Sequence, residues 1–176
     1  MSIVKIDISG IKSVCDYLDN QIVKLPTKGE MLVGKLADIG KTVAGNIFKP
    51  AQYDGFNDVA VTARLRSKSK YKKRGDVIAK GNAVAFIEYG SGVHYQLVHP
   101  WASSLGMVRG DFGYHHGRFD SWRYSGDPGT NGEIITEGKH KGEIRTHGNP
   151  PARAMYYADR SMRSNIDRVA RVVFRK

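Results

Sequence analysis

Six histidines fall between positions 94 and 147, and they are the residues of this chain best suited to chemistry. Imidazole titrates near neutral pH and can serve as a general base or a metal ligand. Their spacing frames neither role. His115 and His116 are adjacent, so they project in different directions on most backbones, and His94 and His99 stand five apart with Pro100 directly after. Asp111, Asp120 and Asp127 share the stretch, but their spacing ties none of them to a histidine. No helical H-E-x-x-H pair, paired cysteines or glycine-rich phosphate loop is present. The histidines therefore read as polar loop residues, and no catalytic residue, metal ligand or cofactor is assigned. The alternative is a small basic DNA-binding or metal-dependent nuclease-like protein using the histidine-rich loop.

The second distinctive stretch is RSKSKYKKR, residues 66–74, with six basic residues among nine. Such a loop repels itself and is expected to be mobile when nothing is bound. Lys68, Lys70, Lys72, Lys73 and Arg74 are candidates for contact with nucleic-acid phosphates, and Tyr71 for stacking on a base. A solvated hairpin tip is the plain alternative. The net charge of +11 on 176 residues predicts attraction to polyanions without choosing among them. No zinc-finger spacing, aromatic RNA-binding signature or convincing helix-turn-helix accompanies it, so sequence-selective readout is not expected.

The elements that must hold these residues are legible in outline. Ile11, Val14, Leu18, Ile22 and Leu25 trace one helical stripe, with Ser9 as N-cap and Pro26 as its break. Leu32, Leu36, Ile39, Val43 and Ile47 trace a second helix ending at Pro50. Gly34, Gly40 and Gly45 weaken that helix or permit close packing. Val59, Val61, Ala63 and Leu65 alternate as a strand, and DVIAKGNAVAFIEYG reads as another, with a bulge or turn at Gly81-Asn82. Asn149 before Pro150-Pro151 predicts the start of a long C-terminal helix, whose stripe is Met155, Ala158, Met162, Ile166, Val169 and Val173.

Residues 90–150 stand apart. They hold twelve of the 20 glycines, all six histidines and both tryptophans, with little apolar periodicity. A structureless stretch of that length is usually functional or disordered. Its aromatics, Tyr95, Trp101, Phe112, Tyr114, Phe119, Trp122 and Tyr124, favour a loop that orders against a partner. The expected architecture is a single α+β domain, residues 1–176. It comprises a small, mainly antiparallel sheet packed by N-terminal helices and a long C-terminal helix, with 90–150 as a long loop insertion. The single Cys15 gives no internal disulfide and suits a reducing cytoplasm. No apolar run is long enough for a membrane span, and the N-terminus does not read as a signal peptide.

The order of the motifs carries further information. The stretch IEYGSG, the loop containing SWRY, then RTHGNPPARAMYYADR opening the last helix, follow two helices and a strand pair. This order resembles the tail-completion, or neck, proteins of long-tailed double-stranded DNA phages. EYGSG and GNPPARAMYYADRSM carry most of the likeness, which covers roughly residues 30–175. FKPAQYDGFNDVAV is similar to that family's proline–glycine approach to its first strand. Ala154 stands where a proline is common in the family, the lysine stretch is unusually basic, and the 90–150 insertion is long. The resemblance implies a structural, non-catalytic virion protein in a homo-oligomeric ring, expected to be a hexamer. Its neighbours would be the head connector and the tail-tube or tail-terminator proteins, with non-specific contact to packaged DNA and no membrane. Large rigid aromatics such as Trp101, Trp122 and Tyr124 are the usual anchors of protein interfaces, and with Tyr89, Gly90, Gly92 and Arg153 they are the expected assembly contacts.

Overall fold

A computed structural model describes residues 9–51, 57–92, 94–95, 98–106, 120–129 and 131–175. The architecture is α+β. Its spine is a single helix, α1, running Ser9–Phe48 straight through Pro26. Two helices were expected, because proline lacks the N–H for one helical bond and crowds the preceding turn. The stripe keeps its phase across that point: Ile22 and Leu25 lead into Leu32 and Leu36 on the same side, so the apolar face favours continuation. At 1.5 Å per residue α1 is about 60 Å long.

The C-terminal half of α1 organises the core. β1 (Ala60–Ser67) and β2 (Lys73–Lys80) form an antiparallel hairpin in which Val61 pairs with Ala79, Ala63 with Val77 and Leu65 with Gly75. Side chains alternate across a strand, so these six positions share the face that lies on α1. Gly75 comes so close that a Cβ there would sit 2.8 Å from Val33 and 3.2 Å from Ala37. A short helix, α2 (Val84–Tyr89), follows the hairpin where a continued strand was expected. Its start is held from a distance: the Asp58 carboxylate accepts the Asn82 and Ala83 N–H groups at 2.6 and 3.0 Å.

The last helix begins later than the sequence suggested. Residues before a proline are pushed to extended backbone, so Asn149 and Pro150 cannot open a helical turn. The chain instead runs beside α2, and α3 spans Ala154–Ser164. A break at Asn165 separates it from α4, Ile166–Phe174. Ala44 and Phe48 of α1, Ala83, Ile87 of α2, and Ala154 and Ala158 of α3 form the central cluster. Small residues let the helices approach: a Cβ on Gly40 would meet Met162 Sδ at 2.6 Å and Val77 Cγ2 at 2.9 Å. Of the predicted C-terminal stripe, Ala158, Val169 and Val173 are buried while Ile166 is exposed.

The described residues of the 90–150 stretch are not structureless. β3 (Trp122–Tyr124), β4 (Gly132–Ile134) and β5 (Ile144–Thr146) form a second antiparallel sheet in the order β3-β5-β4, with Ile144 buried at its centre. A single 3₁₀ turn covers Ser103–Leu105. Strands of three residues are too short to show a period of two, which is why the sequence hid them. His115, His116, Asp111, Phe112, Tyr114 and Phe119 lie outside the described residues. No helix of the described residues is long and apolar enough to cross a membrane.

Candidate assembly junction and basic hairpin face

The two motifs that bear the resemblance meet in space. Gly90, at φ +82°, ends α2 and lets the chain at 149–151 pass; a Cβ there would meet Asn149 O at 2.7 Å and Pro151 N at 2.9 Å. Ser91 N–H donates to Asn149 O (2.9 Å), and Asn149 N–H returns a bond to Ser91 Oγ (3.0 Å). Ala152 N–H donates to Ile87 O (2.8 Å) and Arg153 N–H to Glu88 O (3.2 Å). YGSG and NPPAR are thus laced together by main-chain bonds, with glycine where a side chain would block the approach.

Glu88 locks the junction. Its side chain is 3 % exposed, and it accepts the Met155 and Tyr156 N–H groups at 2.8 and 3.1 Å, the free donors of the first turn of α3. A carboxylate at a helix N-terminus satisfies these donors and complements the helix dipole. The wholly buried His99 provides the third bond. Trp101 N–H donates to His99 Nδ1 (3.1 Å), which leaves Nε2–H to donate to Glu88 Oε1 (3.1 Å). The His99 ring is walled by Tyr89 edge-on at 4.6 Å, Trp101 at 5.6 Å and Tyr156 at 6.0 Å. Burial, with the Glu88 charge beside it, pushes the Tyr89 phenol above its ordinary range.

Arg153 is the one non-glycine residue with positive φ (58°) among the described residues, directly before α3. A left-handed residue of this kind costs on the order of 1 kcal/mol and persists where its surroundings fix it. Here the fixing groups are Glu88 O and Val98 O, the latter taking a bond from Nη2 at 3.2 Å, while Nε is buried without a partner.

Most of the expected assembly residues therefore work inside the fold. Tyr89, Gly90, Trp101 and Arg153 build the junction. Gly92 packs against the third strand of the chain: a Cβ there would meet His147 O at 2.5 Å and Trp122 Cζ3 at 2.9 Å. Tyr124 donates its hydroxyl to Asp127 O (2.8 Å), and Trp122 keeps 38 % of its surface exposed. Glu88 and His99 were not singled out in these roles by the sequence. The signal was an acid in an apolar run, and its partners lie 11, 67 and 68 positions away.

The hairpin turns its other face outward. Thr62, Arg64, Arg66, Arg74, Asp76, Ile78 and Lys80 alternate with the inward set, so the outer face is mostly basic. Arg66 and Arg74 stand directly opposite, an unfavourable like-charge pairing that Asp76 relieves by binding both, at 3.2 and 2.5 Å. The tip is a closed turn, with Lys68 N–H on Lys72 O (2.9 Å) and Lys72 N–H on Ser69 Oγ (3.1 Å). Lys68, Lys70, Lys72 and Arg74 are exposed. Lys73 is different: it belongs to the inward set, only 14 % of its side chain is exposed, and its ammonium meets Glu30 of α1 at 3.3 Å.

The remaining histidines have local partners. His94 and His147 flank Asp120, with Nδ1 atoms 3.7 and 3.6 Å from its carboxylate, and His140 meets Glu143 at 3.1 Å. Among the described residues no group of three or more His, Cys, Asp or Glu side chains could hold a metal ion. No family model, curated protein or solved structure matches the chain.

Proposed function

We propose that this chain is a structural component of a phage neck, completing the tail and joining it to the DNA-filled head as one subunit of a ring, six copies around the axis. One observation carries the reading: EYGSG and NPPARAMYYADR, the stretches with the family's character, close on each other around Glu88 as a single structural unit. Motifs almost 60 positions apart that interlock through main-chain bonds act together rather than as chance glycine- and proline-rich words. The basic hairpin face suits a subunit beside a DNA channel, where phosphates are met and bases are not read. Its neighbours would be the head connector and the tail-tube or tail-terminator proteins, with assembly in the host cytoplasm and a final place in the virion.

Mass spectrometry of purified phage particles from cells carrying the gene tests this. The chain is expected in a few copies per particle, and particles made without it should have heads and tails that fail to join. Normal infectious particles lacking the chain overturn the reading. The catalytic alternative has in its favour the placement of His94 and His147 around Asp120. Metal-dependent cleavage of plasmid DNA, abolished by His94→Ala, would establish that reading instead.

A further inference from the structure

Among the described residues, little covers the first half of α1. From Lys12 to Leu25 every residue except Gln21 is exposed. Yet Val14, Leu18, Ile22 and Leu25, spaced by four, four and three, fall within about 80° of arc at 100° per residue. Their exposures are 56, 52, 48 and 44 %. The same line continues into Leu32, Leu36, Ile39 and Val43, which are half-buried in the body of the molecule. An amphipathic helix in water owes most of its stability to burial of its apolar face, and an isolated segment of this length is marginal.

We infer that the exposed apolar stripe of α1 between Val14 and Leu25 is the surface on which a second copy of this chain docks. Charge selects that occupant. The chain carries +11 overall, but residues 12–25 hold two lysines, Lys12 and Lys24, against two aspartates, Asp16 and Asp19, and sum to zero. Lys12, Asp16 and Asp19 lie on the helix side away from the stripe. Copies that repel each other across their basic faces can meet along this neutral segment. A helix that lies on a lipid surface instead carries an excess of Lys and Arg on its polar face, and this one has none. Continuity with the half-buried line gives the partner a track leading from the projecting helix onto the body.

The test is the mass of the intact chain in solution across a concentration series, by sedimentation equilibrium or light scattering. The wild type should exceed one copy as concentration rises. Leu18→Lys with Ile22→Lys should return it to one copy, with the cooperative unfolding of the body unchanged, since both side chains are exposed. Val23→Lys, on the polar side of the same turn and 69 % exposed, should leave association intact. A wild type that stays a single copy throughout overturns the inference. So does association that the double substitution leaves unaltered, and so does a monomer that instead co-sediments with phosphatidylserine vesicles. None of these outcomes depends on particle content, which tests the neck reading separately.

Discussion

Glu88 shows how much one side chain can decide. Its two oxygens serve three donors, two from α3 and one from the wholly buried His99. Glu88→Gln keeps the shape but turns an amide NH2 toward N–H groups and removes the charge. Losing a charge-assisted bond and leaving a buried donor unmet costs about 2–3 kcal/mol. Thermal unfolding should show a midpoint lower by roughly 5–10 °C, and an unchanged midpoint would mean the network is incidental. Asp58 makes a smaller, pH-dependent contribution of the same kind. The Ala83 and Asn82 N–H groups hold its carboxyl below the ordinary aspartate value of 3.8. A lowered folded value means the stabilisation is whole above that ordinary value and is lost as pH falls through the folded one. The stability gap between wild type and Asp58→Ala should therefore shrink from about pH 5 to about pH 3. A gap constant across that range would show that Asp58 acts without its charge.

At the level of elements, the glycines of α1 separate packing from propensity. Gly40 faces Met162 and Val77 with no room for a methyl group, whereas a Cβ on Gly45 would meet nothing within 4 Å. Alanine improves helix propensity by up to about 1 kcal/mol, so Gly45→Ala should stabilise by roughly that amount. Gly40→Ala gains the same term but forces the Val77 side chain and the α1–α3 contact apart, and overpacking costs about 1–3 kcal/mol. Denaturant midpoints moving in opposite directions check the pair; a stabilised Gly40→Ala would mean Met162 yields freely. The sequence made this spacing visible but could not say which glycine touched α3. It showed β1 plainly, because Val59, Val61, Ala63 and Leu65 keep a period of two. It misplaced α2, because a short dense apolar run fits a buried strand or a helix equally. The helix is chosen by Asp58, a residue 25 positions before Ala83. The late start of α3 has a local and a distant cause: a residue before proline favours extended backbone, and main-chain bonds to Ile87, Glu88 and Ser91 hold 149–153 beside α2.

For the whole molecule, the question is whether the basic charge is a diffuse property or a surface with a direction. Alternation across the hairpin sends Arg64, Arg66, Arg74 and Lys80 to the side away from α1 and carries Lys68, Lys70 and Lys72 at its tip. Lys73 is turned back to Glu30. Arg66 facing Arg74 is a like-charge pairing that would be unfavourable by itself, and the fold places Asp76 on both to relieve it. A mostly basic face fits a polyanion, and binding to duplex DNA of mixed sequence should fall steeply with salt. Each phosphate contact contributes about 0.9 to the slope of log affinity against log salt. Replacing Lys68, Lys70 and Lys72 with Ser should lower that slope by as much as about 2.7 if all three meet phosphates. Lys73→Ser, made alone, should leave the slope nearly unchanged and register instead as a small loss of stability, because its charge is already matched within the fold. Equal effects from all four lysines would mean that DNA responds only to net charge, and the hairpin face would lose its claim to be a surface with one side.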